Sequence, residues 1–226
     1  MMRGNMRSSS YFISFLIFLF YLCFVPLFGL AETHNKIHIA VIGDSLVHGY
    51  GLLPEEGFVS RLETRLVEEG RYVKLQNLGV SGETSAGGLA RFDWSITNKV
   101  QGVIILLGGN DMLRGLHPEN TYLNLKQMLL ASEARDLPVL LVGIEAISNF
   151  GVEYKSSFDE IFPRLKKEFY IFHYPDFFSA LKSDSVETFL SFMQSDHIHP
   201  NAVGVTRIVT DFLPLMYDFI SFIENN

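Results

Sequence analysis

The chain has 226 residues, which suits one domain with a sizeable core, and 48% of these residues are apolar while 19% are charged. These proportions exclude a disordered chain and a fibrous repeat. The formal net charge of -7 argues against a protein that binds nucleic-acid backbones irrespective of sequence.

The first segment of the chain has the layout of an export signal. An apolar run over residues 11–28 follows two arginines, and Gly29 and Ala31 supply small residues where a signal peptidase reads them. We therefore expect residues 1–31 to be removed, and residues 32–226 to form a periplasmic or secreted domain. The run exceeds the usual signal core of about 7 to 15 residues, so a retained membrane anchor stays open as an alternative.

After residue 31, short β-branched runs alternate with longer amphipathic ones. This alternation is typical of a parallel sheet covered by helices. Four buried strands and a weaker fifth are predicted, in chain order, at Ile37 to Ile42, Val73 to Leu78, Val103 to Leu107, Val139 to Ile144 and Tyr170 to His173.

The amphipathic runs between and after these strands have helical spacing. Helices are predicted at Phe58 to Glu69, Tyr122 to Ala134, Ser157 to Phe169 and Ala202 to about Phe222. Pro214 is expected to break or kink the last helix. The pattern predicts a single-domain α/β fold, doubly wound, with its functional groups at the carboxyl ends of the strands.

Three of the loops that follow predicted strands are unusual. The first strand ends in Gly43-Asp44-Ser45-Leu46, where Ser45 is either an exposed nucleophile or a helix N-cap. The next two loops, residues 77–84 and 108–111, are rich in glycine, so their backbones can approach a ligand closely. Asn110 adds a side-chain amide donor. Loop geometry alone is the competing explanation, but all three loops present donors at one edge of the sheet.

A second candidate cluster, Asp196-His197-Ile198-His199-Pro200-Asn201, precedes the last helix. Asp196 and His199 are three residues apart, so the carboxylate could hold the imidazole in one tautomer and make it a general base for a serine. A metal site built on His197, His199 and Asp196 is the rival interpretation. We disfavour the metal site because no HExxH or CxxC motif completes a coordination sphere.

Taken together, these residues resemble the four sequence blocks of the GDSL, or SGNH, hydrolases. The blocks are Gly43-Asp44-Ser45-Leu46, Asn77-Leu78-Gly79-Val80-Ser81-Gly82-Glu83-Thr84, Gly108-Gly109-Asn110-Asp111 and Asp196-His197-Ile198-His199-Pro200. Each block is weak alone, but four in order with the right separations are specific. Further similarity, at residues 87–91 and 193–201 among others, extends to the acyl-CoA thioesterase, arylesterase and lysophospholipase branch over nearly the whole mature chain. The resemblance implies a three-layer, flavodoxin-like α/β/α sandwich with a mainly parallel five-stranded sheet.

The resemblance also implies a role for each matching residue. Ser45 would be the nucleophile, His199 its general base and then acid, and Asp196 the carboxylate that orients the imidazole. The backbone N–H groups of Ser45 and Gly82 and the amide of Asn110 would form an oxyanion hole. The resemblance implies an enzyme with no metal and no organic cofactor. The alternative nucleophile Ser81 misses the last glycine of a G-x-S-x-G elbow.

The loop after the fourth strand departs from the family pattern. It reads Glu145-Ala146-Ile147-Ser148-Asn149-Phe150-Gly151, where related enzymes tend to carry prolines and a tyrosine. Ile147 and Phe150 are candidates to line an apolar groove for the acyl chain, and ordinary loop or core roles are the alternative. The resemblance therefore implies nothing about the length of the acyl chain that this protein prefers.

The expected function is hydrolysis of acyl esters or thioesters, including lysophospholipids and aryl esters, through an acyl-serine intermediate. Two alternatives stay open, a carbohydrate acetylesterase of the same family and a non-catalytic module that binds a ligand in its glycine loops. We expect a monomer that binds a small acyl substrate and no nucleic acid. Contact with a membrane is expected only through the N-terminal segment or a lipid substrate.

Overall fold

The computed structural model describes residues 36–182 and 185–226. The predicted export signal or anchor, residues 1–31, lies outside the described residues. Five β-strands form one sheet, in which every neighbouring pair is parallel. The strands are β1 (Ile37–Gly43), β2 (Val73–Gly79), β3 (Gly102–Leu106), β4 (Val139–Val142) and β5 (Phe172–Tyr174).

The strand order across the sheet is β2-β1-β3-β4-β5. This is the flavodoxin-like order, in which the strand order reverses between β1 and β3 and leaves a crevice at the carboxyl ends of these strands. Strands β3 and β4 are buried at every residue, as expected for strands covered by helices on both faces. The predicted fold class is therefore confirmed.

Nine α-helices are found among the described residues. They are α1 (Ser45–His48), α2 (Phe58–Glu68), α3 (Ser85–Ser95), α4 (Gly109–Leu113), α5 (Pro118–Glu133), α6 (Val152–Asp159), α7 (Ile161–Glu168), α8 (Val186–Ser191) and α9 (Ala202–Glu224). Two short 3₁₀ helices cover Ser148–Phe150 and Ser179–Leu181. The helices pack their apolar faces against the sheet and close one continuous core.

The expected break at Pro214 is wrong, because α9 continues through this residue to Glu224. Pro214 is exposed, whereas Phe212, Leu213 and Met216 beside it are buried. A missing hydrogen bond on the solvent side of a helix can be replaced by water, and burial of the opposite face holds the helix together.

The single helix predicted over residues 157–169 is instead two helices that meet at Glu160. Pro163 explains the division, because it has no N–H to donate to the carbonyl of Asp159. In the observed arrangement Pro163 lies in the first turn of α7, where an N–H has no intrahelical partner in any case.

None of the helices within residues 36–182 and 185–226 is long and apolar enough to cross a membrane.

Candidate active site

Ser45 begins helix α1, immediately after the carboxyl end of β1. The turn between them requires glycine, because a Cβ on Gly43 would lie 2.3 Å from Val47 Cγ2 and 2.6 Å from the carbonyl oxygen of Leu106. The resulting tight turn leaves the Ser45 side chain half-buried at the edge of the sheet. Its backbone N–H lies in the first turn of the helix, where N–H groups have no intrahelical acceptor.

Asp44 caps this short helix and also holds Asn110. Its Oδ1 accepts a hydrogen bond from the backbone N–H of Leu46 at 3.0 Å, and its Oδ2 accepts one from Asn110 Nδ2 at 3.1 Å. Asp44 therefore stabilises the start of the helix and also positions the Asn110 side chain. Burial raises the pKa of Asp44 to about 6, against the lowering effect of these two hydrogen bonds.

The Gly82 turn follows β2 and is held from two sides. Gly82 has a φ of +80°, a conformation that favours glycine. Arg114 donates a hydrogen bond from Nη2 to the Gly82 carbonyl oxygen at 2.7 Å. Arg91 pairs with Glu83 at 2.5 Å and also donates to the carbonyl oxygen of Leu78 at 2.6 Å. The Gly82 peptide is therefore fixed at the edge of the cavity described below.

The segment from Asp196 to His199 is a tight turn organised by one carboxylate. Asp196 Oδ1 accepts hydrogen bonds from the backbone N–H groups of Ile198, at 2.9 Å, and His199, at 3.0 Å. Aspartate favours such turns because its short side chain reaches the backbone two or three residues ahead. His197 accommodates the bend with a φ of +59°. Oδ2 of Asp196 remains for the His199 ring.

Asp196, His199 and Ser45 form one continuous hydrogen-bond chain. Asp196 Oδ2 lies 2.7 Å from His199 Nδ1, and His199 Nε2 lies 2.8 Å from Ser45 Oγ. Partial burial of Asp196 opposes its ionisation, but the hydrogen bonds from the His199 ring and from two backbone N–H groups lower its pKa to about 2. A carboxylate ionised at neutral pH favours the proton on Nδ1, so Nε2 can accept the serine hydroxyl proton.

The histidine loop is tied to the serine loop by Gln194. Its Nε2 donates to the carbonyl oxygens of Tyr50, at 2.8 Å, and Pro200, at 3.0 Å. The Tyr50 and His199 rings are also in contact, with centroids 4.8 Å apart. These contacts fix the distance between two loops that are 154 residues apart along the chain.

A cavity of about 560 Å³ opens at this edge of the sheet. Ser45, Gly82, Asn110 and His199 all line it, so the structure brings the predicted donors and the serine together. Most of the remaining lining is apolar, and its members are Leu46, Tyr50, Met112, Leu113, Ile144, Ala146, Ile147, Phe178, Phe189, Met193 and Ile198. The volume lies in the range of small-molecule sites.

The two candidates for the acyl groove are in different environments. Ile147 lines the cavity and is 42% exposed. Phe150 is not among the lining residues. It packs against Tyr154, with ring centroids 5.2 Å apart, and covers Gly115.

Three charged residues of the cavity were not found from the sequence. Glu145 follows β4, while Asp176 and Lys182 follow β5. Residues that follow strand ends are candidates for the site, so their positions could have indicated them. The end of the weak fifth strand is not clear from the sequence, however, and a long connection follows it. The rival metal hypothesis gains no support, since the described part of the chain has no group of three His, Cys, Asp or Glu side chains suited to a metal ion.

A model of the GDSL-like lipase/acylhydrolase family matches residues 41–207. The chain belongs to this family. As a member it is an acyl hydrolase, which confirms the predicted family and the prediction of an enzyme that hydrolyses ester bonds.

Individual relatives cover most of the chain. Esterase TesA of Pseudomonas aeruginosa is 32% identical over 179 residues, which are 79% of this chain and 87% of that protein. The Escherichia coli K12 protein called thioesterase 1/protease 1/lysophospholipase L1 is 34% identical over 166 residues, 72% of this chain and 75% of that protein. A crystal structure of the psychrotrophic esterase EstA from Pseudoalteromonas, inhibited by monoethylphosphonate, has a TM-score of 0.72, 30% identity, and coverage of 85% of this chain and 100% of that one.

Proposed function

We propose that this acyl hydrolase cleaves esters and thioesters through an acyl-enzyme on Ser45, with His199 as general base and acid and Asp196 as the residue that orients the imidazole. The observation that carries the proposal is the hydrogen-bond chain from Ser45 through His199 to Asp196, with distances of 2.8 and 2.7 Å. A serine hydroxyl is a weak nucleophile until an adjacent base removes its proton.

In the acylation step, Ser45 Oγ attacks the carbonyl carbon of the substrate while its proton moves to His199 Nε2. The imidazolium that forms is stabilised by the Asp196 carboxylate. Collapse of the tetrahedral intermediate breaks the bond to the leaving alcohol, phenol or thiol, which takes the proton from His199. Water then repeats the sequence on the acyl-serine, releasing the carboxylic acid and restoring Ser45.

The negative charge on the carbonyl oxygen requires fixed donors. We assign these to the backbone N–H groups of Ser45 and Gly82 and to Asn110 Nδ2. The amide nitrogen of Asn110 carries two hydrogens, and Asp44 accepts one of them, so the other can point into the cavity. Donors held this way stabilise the transition state without reorganising during the reaction.

The apolar lining of the cavity supports substrates with alkyl or aryl acyl groups. Simple aryl esters, acyl thioesters and lysophospholipids share this feature and one reaction path, and names of the relatives include esterase, thioesterase and lysophospholipase. A carbohydrate acetylesterase would call for a shallow polar site, and a phosphate-binding module would call for a polar site whose donors surround the phosphate oxygens. The apolar lining favours neither of these alternatives.

We also propose that residues 1–31 direct export and that the mature chain acts as a monomer outside the cytoplasm. The order of basic, apolar and small residues supports the export signal. The monomer is supported by the site itself, because one chain supplies every group in the mechanism. Sequencing the amino terminus of exported protein should give Glu32 as the first residue, whereas a retained anchor would leave the terminus upstream.

The serine assignment is tested by comparing Ser45→Ala with Ser81→Ala on p-nitrophenyl esters. Both serines line the cavity, but the hydrogen bond to His199 involves Ser45. We expect Ser45→Ala to lower kcat by more than about a thousandfold, and Ser81→Ala to retain most of the activity. A fluorophosphonate should label the wild type on the peptide that contains Ser45, and mass spectrometry would locate the adduct.

An active Ser45→Ala protein, or an adduct on another residue, would overturn the assignment. Circular dichroism and thermal unfolding of both variants show whether a lost activity reflects a lost fold.

A further inference from the structure

Three charged side chains, Glu145, Asp176 and Lys182, line the cavity among mostly apolar residues. Lys182 Nζ lies 2.7 Å from Glu145 Oε1 and 3.2 Å from Asp176 Oδ2. The Lys182 ammonium thus connects the loop after β4 to the loop after β5. We call these three residues the Lys182 bridge.

Asp176 anchors the bridge because it is the buried member. It is 3% exposed, and its Oδ2 receives no hydrogen bond of good geometry from any described residue. Its Oδ1 accepts a long bond, 3.4 Å, from the backbone N–H of Glu145. A buried carboxylate without full hydrogen bonding is costly unless a cation lies beside it. The position of Lys182 is therefore favoured energetically even though half of its side chain is exposed.

The sheet register locates the bridge relative to Ser45. Gly43 pairs with Leu106, and two strands further across Val142 pairs with Tyr174. The β3–β4 register pairs Ile105 with Leu141, so the last residues of β1, β3, β4 and β5 are level with one another. Ser45, Glu145 and Asp176 each follow the last residue of a strand by two or three positions, so they lie at a similar distance beyond the carboxyl edge of the sheet. Neighbouring strands are about 4.8 Å apart, so the bridge lies about 10 to 14 Å across the sheet from β1.

Apolar residues from the loops after β3 and β4, which lie between β1 and β5 in the sheet, and from the segment after β5 line the same cavity. Met112 and Ile144 follow β3 and β4, and Phe178 and Phe189 come from the segment after β5. An alkyl chain in this space gains free energy with each methylene that leaves water. The gain ends at the bridge, where a further methylene would have to separate an ion pair or desolvate the carboxylates.

We propose that the Lys182 bridge closes the far end of the acyl groove and sets the longest acyl chain that the enzyme accepts. This inference rests on the proposed function, since it assumes an acyl chain attached at Ser45. An extended chain advances about 1.3 Å per carbon, because each C–C bond is about 1.5 Å long. The bridge is therefore reached after about 8 to 11 carbons.

The bridge is tested with p-nitrophenyl esters from C4 to C16. For the wild type we expect kcat/KM to rise with chain length up to about C8 to C10 and to fall beyond. Lys182→Met keeps a flexible stem of similar length and removes the charge. Glu145→Gln is the second variant, because it loosens the exposed arm of the bridge while leaving Lys182 beside the buried carboxylate. In both variants we expect the ratio of kcat/KM for the C14 ester to that for the C6 ester to increase about tenfold.

Lys74→Met is the matched control. Lys74 pairs with Glu63 at 2.8 Å and is 50% exposed, against 2.7 Å and 51% for Lys182, but it lies on β2 outside the cavity lining. This variant should keep the wild-type chain-length profile. An unchanged C14 to C6 ratio in both Lys182→Met and Glu145→Gln would overturn the inference, as would the same increase in Lys74→Met.

A binding measurement separates this inference from the proposed mechanism. Calorimetric titration of the Ser45→Ala protein with C6 to C14 fatty acids needs no turnover. We expect the binding affinity to rise with chain length up to the same limit as kcat/KM and to fall beyond it. Adding Lys182→Met to the Ser45→Ala protein should move this limit to longer chains. If Lys182→Met moves the chain-length limit of binding but the wild-type enzyme shows no Ser45-dependent activity, only the proposed mechanism is wrong. If hydrolysis depends on Ser45 but Lys182→Met leaves the chain-length limit of binding unchanged, only the inference about the bridge is wrong.

Discussion

Asp44 is a buried carboxylate that lies next to the proposed nucleophile and outside the hydrogen-bond chain to His199. It is 2% exposed, and burial raises its pKa from 3.8 to about 6. The folded protein therefore binds this proton more tightly than the unfolded chain does. Its contribution to stability is fully present below pH 3.8 and is lost as the pH rises through about 6. At neutral pH the ionised Asp44 therefore lowers the stability of the folded protein, and in the same position it accepts the hydrogen bond that holds Asn110 in place.

The Asp44→Asn variant should show this cost as a pH-dependent gain in stability. Asparagine stays neutral, so the free energy of unfolding of the variant relative to the wild type should rise by about 2 kcal/mol between pH 4.5 and pH 7.5. Urea unfolding at the two pH values measures it. Asp93→Asn, at an exposed carboxylate, controls for the removal of one charge. An equal difference at both pH values would show that Asp44 ionises normally.

Asn110 is the side chain whose loss should affect the transition state most selectively. With its amide removed, the developing oxyanion loses one donor, and we expect Asn110→Ala to lower kcat by about a hundredfold to a thousandfold with little change in KM. The fold should persist, since the β3 core is buried independently of this side chain. Steady-state kinetics on a p-nitrophenyl ester gives both constants.

Asn149→Ala is the control for Asn110→Ala, because Asn149 is exposed and does not line the cavity. Near-normal kcat in Asn110→Ala would show that this residue is not part of the oxyanion hole.

At the residue scale, sequence motifs predicted Ser45 and Asn110 as site residues. The Asp44 contact that positions Asn110 joins residues 66 positions apart, and no local pattern predicts it.

Among the elements, helix α9 shows where local propensity fails. It contains Pro214 in its interior and nevertheless runs unbroken from Ala202 to Glu224. Local rules weigh the lost hydrogen bond at proline, whereas the apolar face of this helix, with Phe212 and Phe219 fully buried, is set by tertiary packing. At Glu160 the local rule is the correct one. Pro163 indicates a helix break there, whereas the apolar spacing continues across it and predicts one helix.

Pro214→Ala should stabilise the protein, because it restores an N–H that can donate to the carbonyl oxygen of Thr210. Proline in a helix interior costs about 3 kcal/mol relative to alanine, and packing in α9 already accommodates part of that, so we expect the free energy of unfolding to increase by about 1 to 2 kcal/mol. Asp218→Ala, an exposed site on the same helix, reports the general gain from alanine. The interpretation fails if Pro214→Ala gains no more than Asp218→Ala in chemical denaturation.

At the scale of the whole molecule, the site is assembled from the carboxyl ends of all five strands and the turn before α9. Ser45 follows β1, Gly82 follows β2 and Asn110 follows β3, so a doubly wound sheet brings them to one edge. The sequence predicted this much because strand periodicity and loop motifs are local. The cavity wall after β5 was not predicted, since the ion pairs and the hydrogen bond that join Asp176 and Lys182 to Glu145 connect residues more than 30 positions apart along the chain.

This architecture separates stability from catalysis, and a core variant can test the separation. Ile104 lies at the centre of the middle strand, fully buried, and is not among the residues that line the cavity. Ile104→Ala should lower the free energy of unfolding by about 2 to 5 kcal/mol, through lost burial and the cavity left behind. Below its melting temperature the variant should keep kcat within about twofold of the wild type, because loops set by their own hydrogen bonds hold Ser45, His199 and Asn110. Val152→Ala, at an 83% exposed side chain, should change neither quantity appreciably. A large loss of kcat in fully folded Ile104→Ala would mean instead that core packing positions the catalytic loops directly.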